Sequence, residues 1–110
     1  LLEHIRGITL PFEAKWAKHV YWMNSVLVDP SFRLNRDELM GRLRETGVET
    51  RPFFYPIHAQ PVYAQKYRGE SYPVAEELSR KGVNLPSGNT LKKDQIEYVV
   101  DQILSAKRNN

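Results

Sequence analysis

The alternation of apolar and polar residues predicts a central strand near the start of the chain. Between His19 and Val28, apolar side chains fall on both faces of an extended segment, and Trp22 is expected in the core. Both faces are therefore expected to be covered by other parts of the fold. Shorter extended segments are predicted at Ile8–Pro11, Val48–Phe54 and Val83–Leu85.

Helical spacing predicts three main helices. Asn35 followed by Glu38 forms a capping-box pattern, so the first helix is expected from Arg36 to Thr46, with Gly47 ending it. A short helix or turn is expected around residues 60–67. The other two helices are expected from Pro73 to Lys81 and after a Thr90 cap, the last with an apolar stripe at Ile96, Val99, Val100, Ile103 and Leu104.

The first residues have the spacing of a helix end. Leu1, Leu2 and Ile5 are apolar at helical intervals, and Gly7 is a typical helix stop. We interpret residues 1–6 as the end of a helix that begins upstream, within a single domain over 1–110. A short N-terminal helix is the alternative.

The order of these elements predicts the fold class. Strand, helix, strand, helices, strand and helix follow one another with short connections. This order indicates an α+β domain, with a mostly antiparallel sheet of three or four strands and helices packed on one face.

Composition narrows the classes of function. The chain has 110 residues, 41% apolar content, a net charge of +3 and no cysteine. Disulfides and thiolate metal sites are therefore excluded, and a reducing cytoplasm is expected. Neither a membrane span nor a secretory leader is expected, and the basic residues are too scattered to favour nucleic acid.

The segment from Arg51 to Tyr63 is the most unusual part of the sequence. It combines four aromatic rings, three prolines, an arginine and a histidine. Prolines do not suit a central strand, and exposed rings do not suit an ordinary surface loop. We therefore expect a rigid segment that leaves a strand and lines a binding cleft.

Four side chains of this segment are candidates for substrate binding. His58 could hydrogen-bond a hydroxyl or a phosphate, or it could instead tie down its own loop. Arg51 could bind an anionic group, or it could form an ordinary ion pair with Glu49 or Asp37. Phe54 and Tyr55 could stack on a ring, although strand alternation leaves only one of Phe53 and Phe54 free for a cleft.

Other kinds of site receive little support from the sequence. The three histidines lie far apart and have no neighbouring ligand set, so a metal site is not expected. Glycine-rich phosphate loops and nucleophile elbows are absent as well.

A series of short motifs resembles the C-terminal domain of the DegT/DnrJ/StrS sugar aminotransferases, in particular the perosamine synthetase-like group. The most specific motif is Arg-Pro-Phe-Phe-Tyr-Pro-Ile-His at residues 51–58. Supporting motifs, which extend the resemblance over essentially the whole chain, are His19–Met23, Arg36–Leu39, Pro73–Glu76, Leu85–Ser87 and Ile96–Val99.

The resemblance implies a pyridoxal-phosphate enzyme of the aspartate aminotransferase fold type. Such enzymes move an amino group from glutamate to a 4-keto-6-deoxy sugar nucleotide, which would be GDP-4-keto-6-deoxymannose in the perosamine group. By this resemblance, the turn from Tyr55 to His58 lies near the substrate. The N-terminal cofactor domain and its Schiff-base lysine have no counterpart in this sequence, so we expect the isolated chain to be inert and the parent enzyme to be a homodimer.

Two other classes of function stay open at this point. A small basic domain with exposed rings could be a stand-alone module that binds single-stranded nucleic acid. The chain could also be a structural or regulatory domain that has kept the fold and lost the chemistry.

Overall fold

Four short strands form a single antiparallel sheet in the computed structural model, which describes residues 1–108. Their order across the sheet is β1-β2-β4-β3, and all three pairings are antiparallel. The strands are β1 (Ile8–Thr9), β2 (Asn24–Val28), β3 (Arg51–Pro52) and β4 (Gly82–Leu85). The predicted α+β class and mostly antiparallel sheet are confirmed.

Four α-helices connect or follow these strands. They are α1 (Arg36–Glu45), α2 (Pro61–Ala64), α3 (Pro73–Lys81) and α4 (Lys93–Arg108), with short 3₁₀ turns at Pro30–Phe32 and Ile57–Ala59. Within residues 1–108, no helix is both long and apolar enough to cross a membrane.

Both ends of α1 are fixed by the residues that the sequence indicated. The Asn35 side chain accepts a hydrogen bond from the Glu38 amide, and the Glu38 carboxylate accepts one from the Asn35 amide. At the other end Gly47 has φ +79°, and the Val48 amide donates to the Leu43 carbonyl at 2.8 Å. This is a Schellman ending, which satisfies carbonyls that the last turn leaves without partners.

The core lies between one face of the sheet and helices α1 and α4. Val26 pairs with Val83 across β2 and β4, so their side chains share that face. The buried cluster consists of Ile5, Val26, Val28, Phe32, Leu34, Leu39, Leu43, Val48, Val83, Leu85, Ile103 and Ala106. The opposite face is more polar, since Ser25 donates a hydrogen bond to Asn84 at 2.6 Å.

The expected strand from His19 to Val28 is only half as long as predicted. β4 ends at Leu85, which pairs with Asn24, so the residues before Asn24 have no partner on this strand. Tyr21 adopts φ +50°, and its amide donates to the His19 ring at 2.7 Å. The prediction that Trp22 belongs to the core was wrong, because this side chain is 77% exposed.

Other element boundaries also differ from the sequence predictions. The strand expected over Val48–Phe54 shrinks to Arg51–Pro52, since the Val48 amide is used by the end of α1. α4 begins at Lys93 rather than directly after Thr90. There, the Gln95 side chain accepts from the Lys92 amide at 2.9 Å.

Residues 1–6 form turns rather than helix. The Ile5 amide donates to the Leu2 carbonyl, and Gly7 takes φ +91°, as a residue after a helix would. A stretch this short cannot offset the cost of starting a helix alone. That these residues end a longer upstream helix stays a prediction.

Candidate functional site

The segment from Phe53 to Pro61 leaves the sheet beside the first residue of β4. The Phe53 amide donates to the Gly82 carbonyl at 2.9 Å. A Cβ atom added at Gly82 would lie 2.5 Å from the Phe53 Cβ and 2.6 Å from the Leu78 carbonyl oxygen. Glycine is therefore required here, because only its backbone lets Phe53 approach so closely.

Beyond this junction the segment holds its large side chains outward. Phe54, Tyr55 and Ile57 are 62%, 66% and 66% exposed. Alternation separates the neighbouring rings as predicted, since Phe53 is half-buried against Gly82 while Phe54 faces solvent. An open cavity of about 490 Å³ lies here, lined by Pro52, Phe53, Phe54, Tyr55, Ala59, Gln60 and Pro61.

His58 faces the start of α3 and is only 14% exposed. Its Nε2 lies 3.1 Å from Glu76 Oε1, and its ring centroid is 4.7 Å from that of Tyr72. The pKa of Glu76 is lowered, chiefly because the carboxylate accepts a hydrogen bond from the Tyr72 backbone N–H. Burial opposes this shift, and the contact with His58 adds to it. The Glu76 carboxylate is thus charged at neutral pH.

Arg51 lies on a different part of the surface from Phe54 and Tyr55. Its guanidinium contacts Glu49 at 3.2 Å, and both side chains are largely exposed. It also lines a larger open cavity of about 980 Å³, together with Asn84 and Tyr98. The ion pair with Glu49 is the ordinary role that the sequence allowed, and exposed pairs of this kind contribute little to stability.

The structure therefore divides the four candidate residues. Phe54 and Tyr55 share one open wall, His58 contacts α3 directly behind the same turn, and Arg51 faces another cavity. The contact of His58 with Glu76 was not predicted from the sequence. Eighteen positions separate the two residues, and no local pattern links residues so far apart.

Within residues 1–108, the acidic and histidine side chains, the ion pairs of Lys81 and the linings of the two cavities bear on metal and cofactor binding. No group of three His, Asp or Glu side chains is arranged there to hold a metal ion. Lys81 is engaged by Asp29 and Glu77 at 3.0 and 2.6 Å. The two cavities described above contain no lysine side chain.

A second exposed apolar region lies along the irregular connector between β1 and β2. The side chains concerned are Phe12, Trp16, Val20, Tyr21 and Trp22. Side chains of this size are costly to leave in water, so their exposure marks this connector as a candidate contact surface.

The antiparallel sheet with its helices matches the small domain of sugar aminotransferases of known structure. Residues 1–104 match the sequence profile of the DegT/DnrJ/EryC1/StrS aminotransferases, and the chain belongs to that family.

Individual members of the family are similar to the chain in sequence or in structure. The chain is 41% identical over 91 residues to the GDP-perosamine synthase of Escherichia coli O157:H7, covering 83% of this chain and 24% of that protein. It is 36% identical over 91 residues to the GDP-perosamine synthase of Vibrio cholerae, with 83% and 25% covered. The solved structure of DesV from S. venezuelae superposes with a TM-score of 0.82 at 30% identity, over 96% of this chain and 28% of DesV.

The chain spans about a quarter of the length of these relatives. All matched regions correspond to one compact unit, the sheet with its helices. The remaining three quarters of each relative lie outside the region that matches this chain.

Proposed function

We propose that this chain is the C-terminal domain of a pyridoxal-phosphate-dependent nucleotide-sugar aminotransferase. The parent enzyme would transfer an amino group from glutamate to a 4-keto-6-deoxy sugar nucleotide such as GDP-4-keto-6-deoxymannose. Glutamate would leave as 2-oxoglutarate, and the keto oxygen of the sugar would be replaced by the amino group. The observation that carries this proposal is the likeness to two GDP-perosamine synthases over most of the chain.

The cofactor site belongs to the part of the parent that lies upstream of these residues. Pyridoxal phosphate would carry the amino group between the two substrates. The residues described do not fit it, since no lysine lines either cavity described above and Lys81 is bound by Asp29 and Glu77. Residues 1–6 would end the helix that leads from the cofactor domain.

The contribution of this chain is one wall of the substrate cleft. Phe54 and Tyr55 would give the sugar nucleotide an apolar surface, and the Tyr55 hydroxyl would offer it a hydrogen bond. His58 would hydrogen-bond a substrate hydroxyl from behind the same turn. Arg51 points to a separate cavity, and its proposed contact with substrate has the weakest support of the four.

The exposed apolar side chains support an assembly larger than this chain. The cofactor domain would cover the connector with Trp16 and Trp22, and the parent would be a cytoplasmic homodimer. The isolated chain should fold, because it has its own buried core, yet it should be inert and prone to self-association.

The test is the visible spectrum of the longer protein, expressed with its upstream sequence and supplied with pyridoxal phosphate. We expect a yellow absorption band that disappears on addition of glutamate. The bleached enzyme should then release an aminated sugar nucleotide from GDP-4-keto-6-deoxymannose, detected by mass spectrometry. The 110-residue chain, treated in the same way, is the matched control and should show neither the band nor the product.

The possible outcomes separate the parts of this proposal. A colourless longer protein would contradict the aminotransferase assignment and favour a regulatory domain. Bleaching by glutamate, with turnover of a different keto sugar nucleotide, would retain the aminotransferase and reject the named substrate. Transamination by the 110-residue chain alone would contradict the expected division between the domains.

A further inference from the structure

The turn that bears the proposed substrate wall is fixed to α3 through a single carboxylate oxygen. Glu76 Oε1 lies 3.1 Å from His58 Nε2 and accepts a hydrogen bond from the Tyr72 amide at 2.8 Å. The Tyr72 ring lies beside the imidazole, with a centroid separation of 4.7 Å. Two contacts therefore reach His58 from the start of one helix, and the hydrogen bond from the Tyr72 amide holds the Glu76 carboxylate that makes the first of them.

Glu76 is well suited to hold a partner in a fixed orientation. It lies in the first turn of α3, where the helix N-terminus favours a negative charge. The Tyr72 amide fixes one of its oxygens, which leaves this carboxylate less conformational freedom than an exposed glutamate has. The other acidic group nearby, Glu70, is bound by the Tyr72 hydroxyl.

The contact with Glu76 also selects the tautomer of His58. A carboxylate only accepts hydrogen bonds, so His58 Nε2 must carry a proton to bind it. In the neutral ring, Nδ1 is then the acceptor. Within residues 1–108 the hydrogen bond of the ring is made at Nε2, so a hydroxyl donor would have to be accepted at Nδ1.

We propose that Glu76 is a positioning residue of the substrate site. It fixes His58 as the Nε2–H tautomer and ties the turn that carries Phe54 and Tyr55 to the start of α3, so that Nδ1 accepts a hydrogen bond from a hydroxyl of the sugar nucleotide. This inference rests on the proposed function, because it requires a sugar nucleotide to occupy the cleft.

The first arm of the test needs only the 110-residue chain. Nitrogen-15 chemical shifts of the imidazole report which ring nitrogen carries the proton. We expect the Nε2–H form of His58 in the unaltered chain and a mixture of tautomers in Glu76→Ala. The matched control is Glu77→Gln, one residue along the same helix, which loses a contact with Lys81 and should leave the His58 signals unchanged.

The second arm separates the two half-reactions of the longer enzyme. Glu76→Ala should slow the reaction with the sugar nucleotide about tenfold or more, because a displaced contact group is costly at a reacting centre. Bleaching by glutamate should keep its normal rate. Glu76→Gln, whose amide oxygen can still accept from both partners, should recover most of the lost rate, and Glu77→Gln should behave like the unaltered enzyme.

Failure of this inference can be told apart from failure of the proposed function. An unchanged His58 tautomer in Glu76→Ala would overturn the positioning role, whatever the enzyme does. Loss of the tautomer with an unchanged sugar half-reaction would overturn it as well. A longer protein without any transamination would instead reject the proposed function, and the sugar-binding role of His58 with it.

Discussion

Helix α1 precedes the short strand β3 and the turn at residues 53–58 follows it, yet the large side chains of α1 are buried and those of the turn are exposed. Leu39 and Leu43 of α1 are fully buried beneath the sheet. Phe54 and Tyr55 of the turn project into solvent. Burying such a side chain stabilises a fold by about 1.5–3 kcal/mol, so the turn forgoes a contribution that α1 makes.

This difference separates the residues that hold the domain together from those available for contact with something else. The turn is not loose, since the Phe53 amide, Gly82 and the His58–Glu76 contact fix both of its ends. A rigid segment with exposed rings is the arrangement expected of a binding wall. Substitutions in the two regions should therefore have different consequences.

The largest expected effect on stability comes from the core. Leu43→Ala should lower the free energy of unfolding of the 110-residue chain by about 2–5 kcal/mol, because it leaves a cavity beneath the sheet. Phe54→Ala is the matched comparison and should cost less than about 0.5 kcal/mol, as exposed positions usually do. Urea denaturation followed by circular dichroism measures both, and equal losses would remove the distinction between the regions.

A pair of glycines extends the comparison to the backbone, with one position packed against a core residue and one in open space. Gly7 and Gly69 have φ angles of +91° and +88°, but a Cβ at Gly7 would lie 2.3 Å from the Phe32 amide nitrogen, while Gly69 has open space around it. Gly69→Ala should cost about 1–2 kcal/mol, from the left-handed conformation alone. Gly7→Ala should cost clearly more, and equal values in urea denaturation would show that Phe32 moves away freely.

A smaller loss of stability is expected at low pH, when Asp29 is protonated near the meeting point of β1, β2 and α3. The Thr9 hydroxyl at 2.7 Å, followed by Lys81, lowers the pKa of Asp29. The carboxylate therefore adds stability above its unfolded-state pKa of about 3.9, and this contribution is lost as the pH falls through the lower folded-state value.

Denaturation at a series of pH values measures this contribution. The unaltered chain should lose about 1 kcal/mol relative to Asp29→Asn between about pH 5 and the acid limit of folding. Parallel pH curves for the two proteins would contradict the role of Asp29.

Local patterns predicted the parts of the fold that depend on local contacts. Both ends of α1 could be predicted from Asn35, Glu38 and Gly47, because the hydrogen-bond partners at these ends lie within a few residues in the sequence. The residues before Asn24 have strand-like spacing, but a strand forms only where a neighbouring strand can pair with it. β4 ends at Leu85, opposite Asn24, and cannot pair with the earlier residues. Trp22 was misplaced for the same reason.

The same limit of local sequence patterns applies to the candidate site. Composition alone indicated an exposed aromatic wall at residues 51–63, and Phe54 and Tyr55 do project from the surface. The contact between His58 and Glu76 depends on how α3 packs against the turn, which sequence spacing does not encode. Arg51 likewise belonged to the motif, although the fold directs it to another cavity.

The most direct test of the central claim is a crystal structure of the longer enzyme with pyridoxal phosphate and a non-reacting GDP-linked sugar. We expect the Phe54 and Tyr55 rings in van der Waals contact with the sugar nucleotide, and His58 Nδ1 at a hydrogen-bonding distance of about 3 Å from a sugar hydroxyl. It would be contradicted by a ligand bound elsewhere, with the 53–58 turn buried against protein alone.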